Sequence, residues 1–144
     1  MKIAIKKVRE NVLLPEYQTA SAAGMDLAAC IEEPIVLQPH ERFAVPLGFA
    51  LALPVGYEAQ VRGRSGMAAK FGIVPANGVG TVDADYRGEV HAILLNTSNQ
   101  SFTIEPGMRV AQMVINRYET AEWDEVVELD ETERGEGRFG STGH

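Results

Sequence analysis

Hydrophobic positions along this chain recur in short runs, several of them alternating, and turn-forming residues interrupt them about every ten positions. Ile3 and Ile5 alternate with Lys2, Ala4 and Lys6, and Tyr57, Ala59 and Val61 alternate with Glu58, Gln60 and Arg62. Residues 34–37 and 43–45 are compact apolar runs, and 48–53 is nearly all apolar; 90–95 and 109–115 follow the same style. Leu-Pro at 14–15, Gln-Pro-His at 38–40, Leu-Pro-Val-Gly at 53–56, Asn-Gly at 77–78 and Glu-Pro-Gly at 105–107 separate them. Many short strands at such spacing predict an all-β sandwich or barrel. Two segments are helix-capable, residues 65–70 and 121–129, and the second also reads as a strand, with Trp123, Val127 and Leu129 at even spacing. No internal repeat is present.

Size and charge narrow the picture. The 144 residues, 45% hydrophobic, suit one core. Cys30 is the only cysteine, so no intrachain disulfide is possible and a reducing compartment is expected. The opening MKIAIKKVRE lacks a signal peptide's apolar run, and the longest uncharged stretch, 43–57, is broken by prolines and glycines. The expected place is the cytoplasm, with no membrane partner. Twenty acidic and thirteen basic residues leave a net charge of −7, which argues against a generic nucleic-acid binder. Residues 119–136, however, hold nine acids against Arg134 alone, a local −8 that leaves the rest of the chain at +1. The body can hold an anion.

Three segments carry candidate chemistry. In RGRSGMAAK (62–70), Ser65 suits a helix N-cap, Gly66 gives backbone access, and Arg62 and Arg64 flank the turn. It reads either as an anion site or as a capped turn with solvated arginines. In NGVGTVDADYRGEV (77–90), Asp83 and Asp85 would share one face of an extended chain. They are either solvated turn acids or a site for a general base or hydrated metal. A calcium loop is excluded because Leu94 stands where a glutamate is needed. The tail, 134–144, has four glycines, two arginines, two hydroxyls and Phe139, with nothing to build a core. It is either a floppy end or a wrap for a polyphosphate, with Phe139 free to stack on a base. Its Gly-x-Gly-x-x-Gly is no dinucleotide fingerprint, since no helix can follow it. Scattered histidines argue against a transition-metal site.

Five segments in order resemble the trimeric dUTPase family: AGMDLAA (23–29), RGRSGMAAKFGI (62–73), NGVGTVDADYRGEV (77–90), GMRVAQMVI (107–115) and RGEGRFGSTG (134–143). Two positions depart from the usual pattern, Met25 in place of an aromatic and Arg138 in place of the glycine before Phe139. The resemblance implies a distorted, β-barrel-like jelly roll (β-clip) with one short helix. Residues 1–133 would form the β domain and 134–144 a flexible arm closing over the active site. It implies a homotrimer with sites shared between subunits, cleaving dUTP to dUMP and pyrophosphate with Mg2+. That reaction limits uracil incorporation into DNA and supplies dUMP for thymidylate synthesis.

Carried over by position, Asp83 resembles the general base that directs water at the α-phosphorus. Arg64, Ser65 and Gly66 would hold phosphates, with Gln112 close by. Asn77 and the hairpin around Gly80, Thr81, Val82 and His91 would read the uracil edge, and Tyr86 would pack under the deoxyribose. Arg134, Phe139, Gly140, Ser141 and Thr142 would close over the γ-phosphate and base, and Asp26 would meet the metal through water. The residues agree with that chemistry. Anhydride hydrolysis needs charge neutralisation and an in-line water more than a covalent nucleophile, and no convincing nucleophile is present. Two other readings are a dCTP deaminase-like enzyme on the same fold, with a glutamate base, and a non-catalytic, nucleotide-binding regulatory trimer.

Overall fold

The alternating runs become strands in the computed structural model, which describes residues 1–138. In chain order the elements are β1 (Ala4–Lys7), β2 (Met25–Ala28), β3 (Ile35–Leu37), β4 (Arg42–Pro46), β5 (Phe49–Ala52) and β6 (Tyr57–Arg62). The helix α1 (Ser65–Phe71) follows, then β7 (Ile73–Pro75), β8 (Gly80–Val82), β9 (His91–Asn96), β10 (Phe102–Ile104) and β11 (Arg109–Arg117). Apart from residues 121–129, every run read as a strand from the pattern is one. Four strands that the pattern did not single out (β2, β7, β8 and β10) are only three or four residues long. Neighbouring strands, rather than their own periodicity, define them.

All pairings are antiparallel, in sheets ordered β1-β5, β10-β3, β2-β11-β6-β8 and β4-β9-β7. Together they wrap one core in a distorted jelly roll. β6 shows why the pattern works: Ala59 and Val61 are buried, while Glu58, Gln60 and Arg62 form a half-buried polar row. Along that row Gln60 Nε2 donates to Glu58 Oε1 (2.6 Å) and Arg62 Nε donates to Gln60 Oε1 (2.9 Å). Leu27, Leu37, Val45, Leu47, Phe49 and Met113 are among the side chains filling the interior.

One buried polar side chain ties sheets together. Asn96 Nδ2 donates to Leu37 O (3.1 Å) and Gln100 O (2.7 Å). Its Oδ1 accepts from Ser98 N (3.0 Å) and Ser98 Oγ (2.8 Å). Asn96 thus links the end of β9 to β3 and closes the following turn. Asn96→Ala leaves buried partners unpaired and should cost about 3 kcal/mol in urea unfolding. An unchanged midpoint would show that the turn holds itself.

Residues 118–138 form no helix or strand and are exposed throughout. The helix-or-strand expectation for 121–129 is therefore not met. Trp123, Val127 and Leu129 are 92%, 100% and 84% exposed, so the described residues offer them no apolar face to pack on. Among the described residues no helix is long and apolar enough to cross a membrane.

Candidate active site

β8 and β9 are consecutive in sequence but join different sheets, β8 pairing with β6 and β9 with β4 and β7. Where they part, a cavity of about 240 Å³ opens. Asn77, Gly80, Thr81, Val82, Asp83, Tyr86 and His91 all line it, with Val61, Val90 and Ile93 as apolar wall and Glu89 between. Its volume falls below the range of drug-sized pockets, about 300–1,000 Å³, and suits a single ring. The seven expected residues from this part of the sequence are therefore together.

Their local geometry corrects one expectation. β8 ends at Val82, and Tyr86 N donates to Asp83 O (3.2 Å), so Asp83 opens a turn. Asp83 and Asp85 do not share a strand face. Asp83 lines the cavity and Asp85 does not. Tyr86 Oη donates to Glu89 O (3.0 Å), and His91 Nδ1 lies 3.0 Å from the same carbonyl oxygen.

A second group lies around α1. Arg64, Ser65, Gly66 and Gln112 line a cavity of about 400 Å³ together with Lys70. Arg64 Nε stands 3.1 Å from Asp26 Oδ1, and Arg64 Nη1 donates to Arg109 O (2.9 Å). Arg109 Nη1 donates to Asp26 Oδ2 (2.9 Å), and Gln112 Nε2 donates to Gly63 O (2.8 Å). A Cβ on Gly24 would meet Gln112 Oε1, so a larger residue there would have to push the Gln112 amide aside. Here too an expectation is corrected. The N-cap is Arg64, extended at φ −95° and ψ 130°, with no side-chain capping bond, and Ser65 is the first helical residue. Ser65 is exposed beside the arginine rather than spent on the cap.

Asp26 is clamped by two guanidinium groups, and among the described residues no three His, Cys, Asp or Glu side chains gather as a metal set. Such chemistry fits Mg2+ only with phosphate oxygens and water as direct ligands and Asp26 at one remove. Arg134 lines neither cavity and donates to Gly137 O (3.3 Å) within its own segment. Phe139, Gly140, Ser141 and Thr142 lie outside the described residues.

The pattern gave no sign of Arg109 or of the Arg9–Glu89 pair. Arg9 Nε and Nη2 donate to the two oxygens of Glu89 at 2.6 and 2.9 Å. These bonds hold the Glu89 carboxyl below the usual carboxylate range, burial opposing and Gly48 N–H assisting. Eighty residues separate the partners, beyond any local signal.

The two groups stand apart within the chain. Val82, the last residue of β8, faces Ala59, so the chain leaves β8 on the side away from the end of β6 that leads to Arg64. By that register Asp83 falls opposite Glu58, six residues before Arg64, or at most roughly 20 Å along the strand at ~3.3 Å each. The cavities share no lining residue.

The dUTPase family profile matches residues 10–143. A deoxyuridine 5'-triphosphate nucleotidohydrolase of Orientia tsutsugamushi (strain Ikeda) is 51% identical over 146 residues, covering 99% of each chain. One from Fusobacterium nucleatum is 53% identical over 143 residues, covering 99% of this chain and 98% of its own. A solved dUTPase of Staphylococcus bacteriophage 80alpha, with dUpNHpp, superposes with a TM-score of 0.90 at 28% identity, covering 99% of each.

Proposed function

This chain belongs to the dUTPase family, and we propose that it hydrolyses dUTP to dUMP and pyrophosphate in the cytoplasm, at sites assembled between three copies. The observation that carries this reading is the separation of the two groups. The β8–β9 cavity offers a pocket for one ring and a carboxylate, while the α1 cavity offers arginine and exposed backbone for phosphates. We read the two as halves of one site, the base held by one copy and the phosphates by another. A second copy supplies the missing half.

In the assembled site, uracil enters the β8–β9 cavity, where Asn77 and the backbone of Gly80, Thr81 and Val82 meet its polar edge beside His91. Tyr86 packs under the deoxyribose and leaves no space for a 2′-hydroxyl. Arg64, Ser65, Gly66 and Gln112 of another copy hold the phosphates. Asp83 accepts a proton from a water aimed at the α-phosphorus. The P–O bond to the bridging oxygen breaks as the new one forms, and pyrophosphate leaves. Mg2+, when bound on the phosphates near Asp26, would neutralise their charge. Arg134, Phe139, Gly140, Ser141 and Thr142, in the arm 134–144, close over base and γ-phosphate. The acidic stretch before it spans at most ~50 Å when extended, enough to reach a neighbouring copy. Product dUMP would feed thymidylate synthesis.

Pyrophosphate release from dUTP, dCTP, dTTP and UTP, with and without Mg2+, tests the reading. Release from dUTP should exceed the others by ~10⁴-fold, because groups built to bind uracil are left unpaired or blocked by the analogues. Ammonia from dCTP would favour a deaminase, and tight dUTP binding without pyrophosphate would favour a regulatory trimer.

A further inference from the structure

Glu89 sits at a junction that the proposed chemistry leaves unused. Its carbonyl oxygen receives the Tyr86 hydroxyl and lies against His91 Nδ1, both at 3.0 Å. Its carboxylate takes the two hydrogen bonds from Arg9 and a third from Gly48 N (2.9 Å), and its Oε2 also stands 3.9 Å from His91 Nε2. Two residues on the wall of the β8–β9 cavity therefore share one backbone anchor, and that anchor is tied down by its own side chain.

The post it is tied to is closely surrounded. Gly48 adopts φ +78°, and a Cβ there would stand 2.6 Å from both Cys30 Sγ and Val12 Cγ2. Between β8 and β9, residues 83–90 lie outside any sheet ladder. The bonds that hold the far end of this loop are Val90 N to Phe49 O (2.9 Å), Leu47 N to Val90 O (3.1 Å) and the Glu89 carboxylate. Gly48 N–H holds only Oε1, and Oε2 has, besides Arg9, just the 3.9 Å approach of His91 Nε2. The bidentate guanidinium fixes both oxygens in one plane. Arg9 itself lines a different cavity, with Asn11, Cys30 and Pro106, and does not reach the β8–β9 cavity.

We propose that Arg9 is a positioning residue for nucleoside selection: through Glu89 it fixes the Tyr86 ring and the His91 imidazole on the cavity wall. The inference rests on reading that cavity as the nucleoside site. Loss of the tie loosens the loop that discriminates uracil and deoxyribose, without touching the group that activates water. Arg9 is exposed and contributes nothing to the core, so its variants should fold.

Three variants of the full chain decide it: Arg9→Gln, Glu89→Gln and the double substitution. Arg9→Gln should raise KM for dUTP about fivefold with kcat little changed, and lower the preference for dUTP over UTP by a similar factor. Glu89→Gln should do the same, and the double variant should be no worse than either single one. Arg9→Lys, which keeps the charge but not the fork, should recover part of the loss. In the ligand-free protein, Arg9→Gln should speed amide exchange over residues 83–91 and not in β6 or β11. Unchanged KM and preference, additive losses in the double variant, or unchanged exchange would each overturn the proposal. If the parent protein fails to release pyrophosphate from dUTP, the functional reading falls instead. The exchange measurement then still decides whether Arg9 holds the loop.

Discussion

Replacing Asp83 by asparagine is expected to lower kcat for dUTP at least ~10²-fold while KM stays near its parent value. The substitution is nearly isosteric. Asp83 is exposed, and its backbone carbonyl, which accepts from Tyr86 N, is untouched. An amide can still border the cavity but cannot take a proton from water. A hundredfold loss corresponds to about 2.7 kcal/mol of transition-state stabilisation, within reach of one general base. Asp85→Asn is the matched control. It changes the same charge two residues away on a side chain that does not line the cavity, so turnover should persist. Steady-state pyrophosphate release measures both. Near-normal turnover in Asp83→Asn would remove Asp83 from the mechanism.

The sequence was most legible where one strand face is buried and the other is not. Residues 57–62 alternate because Ala59 and Val61 enter the core while Glu58, Gln60 and Arg62 bond to one another. β7 and β8 escaped the pattern because three residues cannot display a period, and their partners β9 and β6 define them. Residues 121–129 showed the opposite failure. Trp123, Val127 and Leu129 carry enough apolar character to suggest an element, but an element also needs a face to bury against.

The candidate site was legible in its members and not in its arrangement. Asn77 through His91 lie close in sequence, and folding gathers them around one cavity. Asp26, Arg64 and Gln112 were tied to one another only by the resemblance, and β2 and β6 flanking β11 explain why they meet. The turn at Asp83, the cap at Arg64, and the contacts of Arg109 and Arg9 depend on tertiary geometry. A local pattern cannot encode them.

Two inactive variants mixed in one assembly test the shared site most directly. Asp83→Asn removes the proton acceptor from the β8–β9 half, and Arg64→Gln weakens the phosphate grip of the α1 half. Each alone should be nearly inactive. Subunits with different tags, refolded together in equal amounts and purified through both tags, contain both variants. If the halves come from different copies, each such mixed trimer joins an intact Asp83 to an intact Arg64 at one of its three sites, about a third of the total. Pyrophosphate release should then recover to roughly that fraction of the parent rate. Activity no greater than the two variants measured separately would place both halves in one chain and contradict a site built between copies.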